Sequence, residues 1–95
     1  MKKYRVTVEG GNCLIELGDV ALRHGFFTTR FIEAEDRSTA GKIAVDLIKK
    51  ELTGTLLNDQ FNAPTMRVDE VTEVLSFGDN LVPGKGFTWY PECED

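Results

Sequence analysis

The chain has 95 residues, a hydrophobic fraction of 41%, a charged fraction of 28% and a formal net charge of −5. A chain of this size and composition makes one domain with one core, not a disordered tract, and it has no run of about 20 apolar residues for a membrane helix. The charge is uneven: residues 1–47 carry seven basic and seven acidic side chains, residues 48–95 four basic and nine acidic. The second half therefore supplies the whole −5, the wrong sign for gripping nucleic-acid phosphates.

Met1-Lys2-Lys3-Tyr4-Arg5 has the basic start of an export signal, but Thr7 and Glu9 break the apolar run that should follow. Tyr4, Val6 and Val8 instead alternate with Arg5, Thr7 and Glu9, the period of a strand with one dry face. Gly10-Gly11-Asn12 is turn chemistry, and Cys13, Ile15 and Leu17 then alternate again, so residues 4–17 read as a hairpin. Gly18-Asp19 closes its second strand, and Val20 to His24 reads as a connection. Gly25 to Ile32 is dense in aromatic and β-branched residues and reads as a third strand.

Asp36 or Ser38 can cap a helix. Ala40, Ile43, Ala44, Leu47, Ile48 and Leu52 form its apolar stripe, and Thr53-Gly54 supplies its stop. Leu56 to Pro64 is a loop, with Leu57 and Phe61 as candidate anchors to the core. Met66 to Phe77 reads as a strand whose alternation slips between Val68 and Val71, the mark of a β-bulge near Asp69-Glu70. Gly78-Asp79-Asn80 and Pro83-Gly84-Lys85-Gly86 are turns. Phe87 to Tyr90 adds a short edge strand, and residues 91–95 form a tail expected to fray. The expected fold is a single α+β domain over 1–95: a small antiparallel sheet of four or five strands, order β-β-β-α-β, with one amphipathic helix on one face. One helix covers only one face of such a sheet, so the other must be solvated or covered, and a homodimer is the economical cover.

The chemistry is sparse. His24 is the single histidine, and no carboxylate is placed beside it by the sequence, so a general acid–base role has little support. Glu33, Glu35 and Asp36 precede the helix, where its dipole favours negative charge, and their spacing matches no calcium loop. Gly84-Lys85-Gly86 lacks the spacing of a phosphate loop. No metal or cofactor is called for. Cys13 and Cys93 are in no metal-like spacing and read as a buried thiol and a thiol near the chain end, which suits a reducing cytoplasm. Trp89 and Tyr90 are the strongest interface candidates, because such rings bury large area at low entropic cost.

His24-Gly25-Phe26-Phe27-Thr28-Thr29-Arg30-Phe31-Ile32 with the following helix is similar to part of an RNA-recognition motif. Thr28 stands where that motif needs its second stacking aromatic, and residues 10–24 leave no room for its first helix. The strand-strand-strand-helix order also resembles small antitoxin domains of the HicB type, over about half the chain and by topology alone. Neither resemblance assigns a family. The leading expectation is a non-enzymatic, cytoplasmic, homodimeric protein-binding domain of inhibitor, immunity or antitoxin type. It would meet a basic partner protein through Asp69, Glu70, Glu73, Trp89 and Tyr90. The alternative is a small-molecule or nucleotide binder using Arg5, His24 and Arg30 on the open sheet face. A hydrolase or nuclease using His24 is the least supported.

Overall fold

A computed structural model describes residues 1–17, 20–58 and 63–92. Its elements are β1 (Lys2–Leu17), β2 (Val20–Ala34), α1 (Arg37–Leu52), β3 (Thr65–Val74) and β4 (Thr88–Pro91). The strands form one antiparallel sheet in the order β3-β1-β2-β4, so β3 and β4 are its two edges. The described residues thus make a small α+β domain of four strands and one helix.

The segmentation before the helix differs from the sequence reading. Residues 4–17 do not fold back as a hairpin at Gly10-Gly11-Asn12. They run on as one strand that pairs with β2 from Lys2↔Ala34 to Leu17↔Val20. Two strands, not three, therefore precede α1. Between Gly10↔Phe26 and Cys13↔His24, β1 has two residues where β2 has one, which is a β-bulge. Asn12 takes the left-handed conformation there (φ 54°), which asparagine tolerates. The bulge shifts the phase, so Val6, Val8 and Cys13 and their partners Arg30, Thr28 and His24 are all buried. Val20 to His24 is correspondingly the first part of β2 and not a connection. Gly18-Asp19 lies outside the described residues.

The helix starts where its cap dictates. Asp36 accepts a hydrogen bond from the Thr39 backbone N–H at 2.7 Å, which holds its carboxyl below the ordinary range. Ala40, Gly41, Ala44, Ile48 and Leu52 are buried against Tyr4, Val6, Val8, Phe26, Ile32 and Ala34 of the sheet. Ile43, on the expected stripe, is 36% exposed, whereas Val45 packs on the core. The contact stripe follows the i, i+4 row 40-44-48-52, and that row carries its β3-side neighbours 41 and 45 with it. Gly54, at φ 86°, ends the helix as expected.

The bulge expected in β3 is present: Thr7 pairs with Glu70 and Val8 with Val68, leaving Asp69 as the extra residue. The loop after α1 is held by backbone: Leu57 N–H donates to the Leu14 carbonyl and Leu14 N–H to Asn58 Oδ1, both at 2.8 Å. Leu56 packs on the core while Leu57 is 48% exposed, and Phe61 lies outside the described residues. At the other end Pro91 ends β4 and residues 93–95 lie outside the described residues. Glu92 N–H donates to the Arg23 carbonyl at 3.1 Å, and its carboxylate accepts from the Asn12 N–H at 2.6 Å.

Candidate functional site

The residues singled out from the sequence divide between different surfaces. Asp69, Glu70 and Glu73 are exposed on β3, at one edge of the sheet, whereas Trp89 and Tyr90 are on β4 at the other. Trp89 closes the core. Its ring lies 5.3 Å from both Phe26 and Phe87 and 6.5 Å from His24. Tyr90 points to the opposite face, lies over Gly25 and meets Phe27 at 5.7 Å. Burial, then the nearby carboxylates of Glu9 and Glu92, raise its phenol above the ordinary value.

Arg5, His24 and Arg30 are not brought together either. Arg5 is exposed on the open face and pairs with Glu70 at 3.7 Å. His24 is buried on the helix side, with Nδ1 3.1 Å from the Leu22 carbonyl and Trp89 against its ring. Arg30 is fully buried. Its guanidinium forms a fork with Glu51 of α1 (Nη2–Oε1 2.9 Å, Nε–Oε2 3.2 Å) and donates to Thr28 Oγ1 and to the carbonyls of Thr29 and Gly86. It also stacks on Phe87, 5.2 Å from the ring centre. With its donors so engaged, Arg30 joins β2, α1 and the segment leading to β4; it presents no free cation to a ligand.

One concavity was not legible in the sequence. A groove of about 760 Å³ runs between α1 and β3. Its floor is Gly41, Val45, Val68 and Val71, and Arg37, Lys42, Asp46 and Lys49 are on its helix wall. Gly41 sets the close approach: a side-chain carbon there would sit 3.3 Å from Val68 Cγ2. The groove is bounded on its outer side by β3, with which no further strand pairs among the described residues. Two features guard that edge. Asp69 bulges from it, and Arg37 Nη2 donates to the Val71 carbonyl at 2.9 Å. Of the acidic trio, Glu70 meets Arg5 and Asp69 meets Arg67 at 3.8 Å. Glu73 makes no ion pair among the described residues.

Cys13 is a free, buried thiol whose pKa is pushed from 9.0 to about 11, first by burial and then by the Glu92 carboxylate. In a Cys93→Ser background it is expected to resist iodoacetamide at pH 8 while the protein is folded and to react on unfolding. Alkylation of the native protein at the rate of a free thiol would show the site to be open. The sign for stability is also fixed. The folded chain keeps this proton where an exposed thiol has lost it, so Cys13's contribution falls as pH rises from 9.0 towards about 11.

Among the described residues no three His, Cys, Asp or Glu side chains converge as a metal site, and no helix is long and apolar enough to cross a membrane. Comparison of the chain with protein-family models, curated protein sequences and solved structures gives no match.

Proposed function

We propose that the protein is a non-enzymatic binding domain that takes an extended segment of a basic partner protein as an added strand along β3. The observation that carries this reading is a sheet edge with no further strand paired to it among the described residues, lying beside an apolar groove against a helix. In strand addition, main-chain hydrogen bonds to the edge supply affinity, and alternate side chains of the incoming strand supply specificity. The groove over Val45, Val68 and Val71 receives the apolar alternates. Asp69 and Glu70, exposed along the same strand, favour lysine or arginine at the others, and Glu73, two residues past Val71 on the groove's own face, favours one where the groove ends.

The guarded edge selects its partner. An incoming strand must match the bulge at Asp69 and replace Arg37 at the Val71 carbonyl, which excludes arbitrary strands. A second copy of this chain is the weaker occupant, because β3 against β3 brings two acidic trios to one seam. The site set for binding is thus Gly41, Val45, Val68, Asp69, Val71 and Glu73, and Trp89 and Tyr90 fall outside it.

Peptides selected on the protein from a random display library test this. The expected consensus alternates apolar and basic residues, and the bound peptide shifts amide resonances over residues 37–49 and 65–74. The double variant Asp69→Lys, Glu73→Lys, altered at two exposed positions, should bind about tenfold more weakly, with reduced salt dependence. Unchanged affinity in that variant, or resonance shifts confined to other surfaces, would overturn the proposal.

A further inference from the structure

A second concavity lies on the opposite face of the sheet, away from the β3 groove. It encloses about 530 Å³, within the range of small-ligand sites. Phe27 and Phe31 of β2 and Leu81 give it an apolar lining, and Lys85 is the one charged residue on its wall. We propose that this hollow binds a small amphipathic organic anion, its apolar body against Phe27, Phe31 and Leu81 and its anionic head at Lys85.

The wall is built and held in place. Phe31 N–H donates to the Pro83 carbonyl at 2.7 Å. Three residues on, the Gly86 carbonyl accepts from Thr28 Oγ1 at 2.6 Å and from buried Arg30 at 3.4 Å. Between these anchors Gly84 adopts φ 100° and packs so closely that a side-chain carbon would sit 3.1 Å from the Thr29 carbonyl oxygen. Lys85 therefore stands on backbone fixed from both sides, while its own side chain is exposed and makes no ion pair among the described residues.

The floor is equally fixed. Phe31 is braced edge-on by Phe77 at 5.8 Å and Phe27 by Tyr90 at 5.7 Å. Even so, Phe27 stays 41% and Leu81 59% exposed, apolar surface open to an occupant. A hollow formed before binding avoids the entropy of ordering its loop on ligand capture. The choice of an anion follows from charge. The only formal charge on the lining among the described residues, that of Lys85, is positive.

The probe for this is 8-anilinonaphthalene-1-sulfonate, an aromatic anion with a fluorescence readout, titrated into the folded full chain with decanoate as competitor. Saturable binding at one site is expected, with resonance shifts over residues 27–31 and 80–88. Lys85→Glu should weaken it about tenfold and Lys85→Met less. Leu81→Asp, also at an exposed position, should weaken it comparably. Equal affinity in Lys85→Glu, shifts at the α1–β3 groove instead, or no saturable binding would overturn the assignment. Because the β3 edge contributes nothing to this hollow, failure here leaves the strand-addition reading standing, and the reverse holds equally.

Discussion

Glu51→Ala is expected to lower the unfolding free energy by about 3 kcal/mol, whereas Arg30→Met should lower it by only about 1 kcal/mol. The two substitutions break the same fork, yet they leave different groups behind. Removing Glu51 strands a guanidinium whose side chain is fully buried, where its charge cannot be rehydrated without opening the core. The remaining bonds to Thr28, Thr29 and Gly86 and the stacking on Phe87 keep the loss near the low end for a broken buried pair. Removing Arg30 instead leaves a carboxylate that is 35% exposed and already in reach of water, and methionine fills most of the vacated volume. Denaturant midpoints at constant slope measure both. Equal losses would overturn the asymmetry between the two ends of the fork, and a Glu51→Ala protein as stable as the parent would mean that the fork contributes nothing. Because Gly86 is tied to Thr28 and Arg30, the Arg30→Met protein should also exchange amide protons faster over residues 84–88.

The contrast between Arg30 and Arg5 shows what the sequence can carry. Alternation along β2 places Arg30 on the same side as Phe26, Thr28 and Ile32, and these are the buried residues. Read strictly, the period-two rule buries this arginine and makes a charged partner obligatory. The identity of that partner was beyond the sequence, since Glu51 arrives from the last turn of α1. The two phase slips are equally instructive. At Val68 and Val71 the slip falls on Asp69-Glu70, which has no turn chemistry, and the bulge reading is correct. At Val8 and Cys13 the same slip falls on Gly10-Gly11-Asn12, whose turn propensity suggests a reversal. What decides the second case is non-local: β2 is long enough to pair with both halves of β1, and a continuous ladder leaves fewer unpaired edges than two short hairpins. The β3 groove escaped for a related reason. Periodicity fixes which helix residues face the sheet, but not how far α1 sits from β3, and that offset makes the groove.

The same bulge region yields the second large effect. Gly10→Ala should cost about 2–3 kcal/mol even though alanine is intrinsically preferred over glycine in a strand by roughly 0.5–1 kcal/mol. A side-chain carbon on Gly10 would fall 1.9 Å from the Phe26 ring, which lies across it from the paired position on β2. Phe26 has nowhere to go: it is fully buried and held by Phe87 at 5.2 Å and Trp89 at 5.3 Å. Gly25→Ala makes a control with the same chemistry. There the obstruction is the Tyr90 ring at 2.3 Å, but Tyr90 is half-buried on a four-residue edge strand and can swing aside, so the cost should stay below about 1 kcal/mol. Phe26→Leu, itself destabilising, should recover part of the Gly10→Ala loss in the double variant, giving a coupling term of opposite sign to the single effects. A Gly10→Ala protein at least as stable as the parent would remove the ring from the glycine, and with it the reason β1 carries a glycine at position 10.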